Sequence, residues 1–263
     1  MDRQRYVFGD SADDAERTRL QLLEGWADSA TIGVLQSVGV GPGWRCLEVG
    51  AGAGSVTRWL ADEVGSSGAV VASDLNPRFL DDVPANVEVR RHDIVNDEVE
   101  VDAYDLVHSR LLLMHLSDPV RALKKMVRAL KPGAWLVTEE ADWGLFALDG
   151  HPDADWATAF VHDLFARHAE ASVRYPYFGR HLPGLVASYG LDAFEAGGAT
   201  EIASGLDEGS RLTRLTFKAL RRVNASVGAT DADLDRLEAV LDSDSVMITG
   251  VTVITTRCRK PTA

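Results

Sequence analysis

The sequence predicts an α/β chain: a mainly parallel, doubly wound β-sheet with helices on both faces. Three observations predict it. Short aliphatic, β-branched runs alternate with segments of helical period from about residue 45 to 140. Glycine is plentiful at 23 residues and proline modest at 9, which suits tight strand–helix turns over low-complexity linkers. No repeat or composition break divides the 263 residues, so one domain with a large core is expected.

Taken in order, Ser11 and Asp14 form a weak capping box before Leu20, Leu23 and Trp26, which recur at helical spacing. A second short helix is expected over 31–38, and GVGPGW (39–44) breaks it. RCLEVG (45–50) reads as a buried strand. SVTRWLADEVG (55–65) reads as a helix carrying Val56, Leu60 and Val64 and stopped by Gly65. AVVASD (69–74) is a strand, PRFLDDV (77–83) a short helix entered through Pro77, and VEVRRHD (87–93) and YDLVHS (104–109) are strands. Asp118 caps a helix with Val120, Leu123, Val127 and Leu130, KPGA turns the chain, and WLVTEE (135–140) is a strand.

The later third is less regular. A helix over 153–172 carries Trp156, Phe160, Leu164 and Phe165, RYPYFGRHLPG interrupts it, and LVASYG closes a short helix. Residues 192–204 are a strand. Leu212, Leu215, Ala219, Leu220, Val223 and Val227 mark one long amphipathic helix. Thr230 caps a helix with Leu234, Leu237 and Leu241, and the β-branched run 246–258 is the last strand.

Charge narrows the partners. Lys and Arg total 27 against 40 Asp and Glu, a net charge of −13, so phosphate backbones are repelled and no nucleic-acid partner is expected. Cys46 and Cys258 are too few for a disulfide framework or a zinc site. The opening MDRQRYVFGD lacks a signal peptide's apolar core and no run of 18 apolar residues occurs, so a cytoplasmic protein without a membrane partner is expected.

The strongest chemical signal is LEVGAGAG (47–54), between a strand and a helix. Gly50, Gly52 and Gly54 lack a Cβ, so the turn accepts positive φ and lets a ligand press on the backbone. A phosphate loop needs GxxxxGK[ST], and no lysine follows; a dinucleotide fingerprint needs GxGxxG/A, and the sixth residue from Gly50 is Ser55 and from Gly52 is Thr57. What accompanies the loop is acid: Glu48 before it, Asp74 ending the second strand, Asp93 ending the third. Ionised carboxylates only accept hydrogen bonds, which suits ribose hydroxyls, an adenine amino group and a cationic sulfonium better than a pyrophosphate. Asp74 also reads as a cap for NPRFL, and Asp93 as part of the acidic stretch that runs to Asp102.

LEVGAGAG, VVASDLNP, VRRHDIV, YDLVHSRLLLMHL and LKPGAWLVTEE together resemble a class I S-adenosylmethionine-dependent methyltransferase, in the small-molecule branch related to quinone-biosynthesis enzymes. The resemblance covers residues 47–140 in family order. It implies a Rossmann-like seven-stranded sheet with its last strand antiparallel, an N-terminal helical arm (1–40), a cofactor core (41–150) and helical caps (151–190 and 205–243). It implies S-adenosyl-L-methionine as cofactor, S-adenosyl-L-homocysteine as product and no metal. By the same resemblance Glu48 and the backbone of Gly50, Ala51, Gly52 and Gly54 hold the methionine portion and Asp74 the ribose. Leu75 covers an adenine face, Asp93 and Ile94 hold its edge, and Ser109 lies near the methionyl amino group; Tyr6 in the N-terminal arm reads equally as a residue folded over the cofactor and as simple packing.

His108 ends a strand on the ligand side, and Asp142 follows the fifth strand; these two are the candidate bases for a phenol or enol acceptor. Trp143, Tyr175, Tyr177, Phe178, Phe217 and Met247 are the candidate acceptor-binding residues. The function expected is methyl transfer to a small, largely apolar or aromatic metabolite, at oxygen, by a monomer or homodimer. Transfer to carbon or nitrogen, a cofactor-binding protein of this fold that transfers no methyl, and a nicotinamide dehydrogenase are the alternatives.

Overall fold

The structure, a computed structural model, describes residues 13–205 and 207–262. Its eight strands in chain order are β1 (Arg45–Val49), β2 (Ala69–Asp74), β3 (Val87–Arg91), β4 (Tyr104–Arg110), β5 (Leu130–Asp142), β6 (Ala147–Asp149), β7 (Asp192–Ser204) and β8 (Met247–Arg259). They form one sheet in the order β3-β2-β1-β4-β5-β8, with β6 and β7 also paired to β8. β1 to β5 are parallel, and every pairing of β8 is antiparallel.

The expected seven strands are therefore eight, for a local reason. β7 pairs along β8 from Asp192↔Arg259 to Ser204↔Met247. β8's other edge is shared end to end by β5 (Asp142↔Thr252) and β6 (Ala147↔Thr249). β6 is thus β5 resumed after a 3₁₀ turn, Trp143–Leu145, in which the Asp142 carboxylate accepts from the Gly144 amide at 2.7 Å.

Alternation along the buried strands builds two layers. Leu47, Val49, Val71, Val107 and Leu136 face one way, onto α3 (Pro119–Ala129) through Leu123 and Met126. Cys46, Val70, Leu106 and Val137 face the other way, onto Val56, Leu60 and Val64 of α2 (Ser55–Val64) and Leu35 and Val38 at the end of α1 (Asp13–Ser37). Asp118 caps α3 by accepting from the Arg121 amide at 2.9 Å, with Pro119 in the first turn. The remaining helices are α4 (Ala154–Glu170), α5 (Leu182–Ala187), α6 (Glu208–Ala219), α7 (Arg221–Ser226) and α8 (Asp231–Leu241), the last capped by Thr230. No described helix is long and apolar enough to cross a membrane.

Four local expectations are corrected. Residues 13–37 form one helix instead of two, and Ser11 lies outside the described residues. No helix forms over 77–83: Pro77 and Pro84 leave too short a run, and Asp74 turns the chain first by accepting from the Asn76 amide at 2.8 Å. KPGA is strand, because Gly133 and Ala134 pair with Lys260 (2.9 and 2.8 Å) and extend β5 backwards. The long helix expected around Leu212–Val227 breaks at Leu220 into α6 and α7, and Arg221 there donates to Asp231, Asp235 and Glu238 of α8 at 3.0, 2.7 and 2.9 Å.

Candidate active site

The carboxyl ends of β1, β2 and β4 open into one cavity of about 230 Å³, as expected for a parallel sheet. Its floor is the glycine turn. Gly50 (φ +79°) and Gly54 (φ +88°) adopt left-handed backbone, and a Cβ on Gly54 would lie 2.7 Å from Leu80 Cδ2. The amides of Gly50 and Ala51 are tied to the Ser73 carbonyl at 2.7 and 3.1 Å, so the turn is fixed to the end of β2. Gly50, Ala51 and Gly52 line the cavity with Ala53; Gly54 does not reach it and serves as the cap position of α2.

Asp74 lines the cavity between two backbone amides. Its Oδ2 accepts from Gly52 at 3.1 Å and its Oδ1 from Asn76 at 2.8 Å, so each oxygen keeps acceptor capacity. Burial pushes this carboxyl up, against the two amide donors that favour its ionised form. Asp93 also lines the cavity and closes its own turn, accepting from the Val95 amide at 3.0 Å and from Asn96 Nδ2 at 2.8 Å. Leu75 and Ile94 lie on the same wall. Glu48 is buried, accepts a hydrogen bond from the Thr57 hydroxyl, and is pushed up by burial.

A roof comes from α1. Leu20 lies 3.7 Å from where a Gly52 Cβ would be, and Glu24 accepts from the Ser55 amide at 3.0 Å, capping α2 from another element. Arg110 joins Asp28 and Thr31 of α1 at 2.9 and 3.0 Å. Glu140, fully buried, accepts from the amides of Leu112, Leu113 and Met114 at 3.0, 2.6 and 3.2 Å and so shapes the wall after β4. Burial pushes the Glu140 carboxyl up to about 7. Glu24, Arg110, Leu112 and Glu140 were missed by sequence reasoning: each acts through a fold-dependent contact between distant segments that no motif marks.

Both candidate bases lie off the cavity wall. His108 is fully buried beneath the floor, with Nε2 3.4 Å from Glu139 Oε2 and Nδ1 4.0 Å from Glu48 Oε1. It joins β4 to its neighbours instead of facing ligand. Burial would raise Glu139, but hydrogen bonds from His108 and from Thr31 (2.7 Å) hold its carboxyl below the ordinary value. Asp142 is held by Arg180, whose Nε and Nη2 donate at 2.6 and 2.7 Å. Burial alone would raise Asp142; the Arg180 bonds and the Gly144 amide lower it.

Ser109 is buried off the wall, and Tyr6 lies outside the described residues. Of the aromatic candidates Trp143 alone reaches the cavity. Phe217 packs edge-on behind Trp143 at 6.1 Å, and Phe178 is core. Tyr175 bonds the Met114 carbonyl through its amide at 2.8 Å, Tyr177 lies under the Arg180 guanidinium at 5.0 Å, and Met247 is exposed at the start of β8.

The wall away from the glycine turn is built by Trp143, Met114 and His115, by Leu212 and Thr216 of α6, and by Val251. From the expected cap 151–190, Arg174 alone among the described residues reaches it. Burial, with Arg174 and Arg19 nearby, pushes His115 down to about 3, so its imidazole is neutral at neutral pH. Among the described residues no group of three His, Cys, Asp or Glu is placed to hold a metal.

Residues 47–138 match the family model of a methyltransferase domain. The chain is similar to methyltransferase str2 of Strobilurus tenacellus, 30% identical over 183 residues, which are 67% of this chain and 64% of that protein. It is also similar to the ubiquinone/menaquinone biosynthesis C-methyltransferase UbiE of Ectopseudomonas mendocina, 33% identical over 49% of this chain and 50% of that one. The chain thus spans less than two thirds of either relative's length. Among solved structures, phosphoethanolamine N-methyltransferase 2 of Haemonchus contortus in complex with S-adenosyl-L-methionine shares the fold. That likeness has a TM-score of 0.54 at 18% identity and covers 89% of this chain and 52% of the other.

Proposed function

We propose that the chain, whose residues 47–138 match the model of a methyltransferase domain, is a class I S-adenosylmethionine-dependent methyltransferase that methylates a small, largely apolar or aromatic metabolite, at oxygen. The observation that carries this reading is a single cavity whose one end is acid and backbone, Asp74, Asp93 and the glycine turn, and whose other end is apolar, around Trp143 and Leu212.

The donor end fits the cofactor by its own chemistry. Asp74 offers a carboxylate whose two oxygens each retain a lone pair for a ribose hydroxyl. Leu75 and Ile94 offer apolar faces for a base, Asp93 an acceptor at its edge, and the turn at Gly50 leaves no side chain where the ligand must approach. Glu48 lines the same end of the cavity as a further acceptor for the methionine portion. S-adenosyl-L-methionine, when bound, supplies a methyl group on a sulfonium whose leaving group is a neutral thioether.

The protein's own contribution is alignment and exclusion of water, which proximity alone makes worth several kcal/mol. α1 and α6 both line the cavity, and Trp143 belongs to its apolar end. With His108 and Asp142 off the wall, neither serves as a general base in this reading. His115 presents a neutral ring, a hydrogen-bonding group rather than a strong base. The net charge of −13 supports a small-molecule acceptor over a nucleic acid.

The test is mass analysis of phenols, enols, amines and carbon acids incubated with the protein and S-adenosylmethionine, with calorimetry of S-adenosylhomocysteine and NAD beside it. Gain of one CH₂ on an oxygen acceptor is the expected result. A gain only on carbon or nitrogen overturns the choice of atom. Binding without any gain makes the protein a binder, and NAD binding with indifference to S-adenosylhomocysteine overturns the reading.

A further inference from the structure

Three arginines in this molecule present the same edge, Nε and Nη2, to very different surroundings. Arg19 clasps Glu16 with it at 2.8 and 2.7 Å, and Arg180 clasps Asp142 at 2.6 and 2.7 Å. Arg174 is 2% exposed, and neither its Nε nor its Nη2 has a hydrogen-bond partner among the described residues. Its guanidinium lies over the Phe165 ring at 5.2 Å, and Phe165 packs on Trp143 at 5.0 Å. Both Arg174 and Trp143 line the cavity, and the Trp143 Nε1 is likewise buried with no partner among the described residues.

Guanidinium and indole N–H are donors only, so this corner of the wall offers donors and positive charge to whatever fills it. Burial lowers Arg174 only to about 10, which leaves it charged at neutral pH. A buried, unpaired charge is costly, and a planar anion that meets the fork of a guanidinium offsets that cost with charge-assisted bonds. Of the other acids that line the cavity, Glu16 is bound by Arg19, Glu24 by the Ser55 amide, Glu48 by Thr57, Asp74 and Asp93 by backbone amides, and Glu201 is exposed.

We infer that the acceptor carries a carboxylate, held at the Arg174–Trp143 corner while the rest of the molecule lies on the apolar wall of α6. This deepens the methyl-transfer reading and rests on it. Arg174 thus selects acids over neutral molecules of the same shape.

The test uses four matched probe pairs: benzoate, cinnamate, 3-phenylpropanoate and octanoate, each against its primary amide. Affinities are measured on the full chain with and without saturating S-adenosylhomocysteine, for the natural protein, Arg174→Met and Arg174→Lys. At least one acid should bind about tenfold or more tighter than its amide, as expected of bonds to a charged group. Arg174→Met should abolish that preference and Arg174→Lys restore part of it. Arg174→Met should also melt no lower than the natural protein when no acid is present, because a buried unpaired charge has gone. An absence of acid preference across all four pairs, or its survival in Arg174→Met, overturns the inference. Failure of S-adenosylhomocysteine to bind, with acid preference intact, overturns the methyl-transfer reading instead.

Discussion

The two ends of the cavity are built on different plans. The donor end draws on the ends of adjacent parallel strands, with Gly50, Asp74 and Asp93 held in place by backbone bonds to Ser73, Gly52, Asn76 and Val95. The acceptor end is assembled from segments far apart in the chain: Met114 and His115 after β4, Trp143 after β5, Arg174 after α4, and Leu212 and Thr216 on α6. A ligand gripped by backbone amides and strand-end acids meets a wall that side-chain substitution barely alters. A ligand gripped by side chains from separate loops meets a wall that changes with each of them. One plan suits a constant partner and the other a chosen one.

The sharpest way to break this comparison is to disturb the backbone of the donor end. Gly54→Val must place a β-branched residue at φ +88° with its Cβ 2.7 Å from Leu80, so a loss of about 2 kcal/mol or more is expected. Chemical denaturation should show it, together with weaker S-adenosylhomocysteine binding; undiminished stability and binding would mean that the turn is not the rigid element described.

Next comes the buried strut below both ends. His108→Ala leaves Glu48 and Glu139 without the ring between them and should lower Tm by several degrees, since about 1 kcal/mol shifts a chain this size by about 2–4 °C. The pH–rate profile of the surviving enzyme should keep its shape. Loss of one limb of that profile would restore His108 as a base.

Glu140 gives a smaller effect with a definite sign. Its carboxyl rises from an ordinary 4.5 to about 7 in the fold, so the protonated form favours the folded state. That stabilisation is complete below about pH 4.5 and is lost as pH rises through about 7. Melting curves between pH 5 and 8 should therefore slope downward from this group, and the slope should be shallower in Glu140→Gln. An identical slope in both would remove Glu140 from the account.

Asp142→Asn should do least. Its partner Arg180 is half exposed, so about 1 kcal/mol or less of stability is at stake, and turnover at saturating acceptor should hold. A large fall in turnover would return Asp142 to the chemistry.

The same division explains what could be read from the sequence. LEVGAGAG, Asp74, Leu75, Asp93 and Ile94 were legible because contiguous residues at strand ends carry both their fold and their location. His108 was misplaced by depth along the strand: β4 runs on to Arg110, so His108 lies two residues short of its end, packed against Glu139 beneath the floor, while Arg110 on the same face reaches the cavity. Asp142 was misplaced because nothing local announces that Arg180, 38 residues later, returns to clasp it. The aromatic candidates were drawn by residue type, and in Phe178 and Phe217 that type builds core. Arg174 carries no local sign of its role. It is one arginine in RYPYFGRHLPG, and what marks it is the absence, among the described residues, of the carboxylate that its two counterparts hold.

Calorimetry of S-adenosylhomocysteine with the natural chain and with Asp74→Ala tests the central claim most directly. Binding to the natural chain that weakens about tenfold or more on losing the Asp74 carboxylate is the result this account predicts. No heat with the natural chain, or equal affinity in the two proteins, would contradict it.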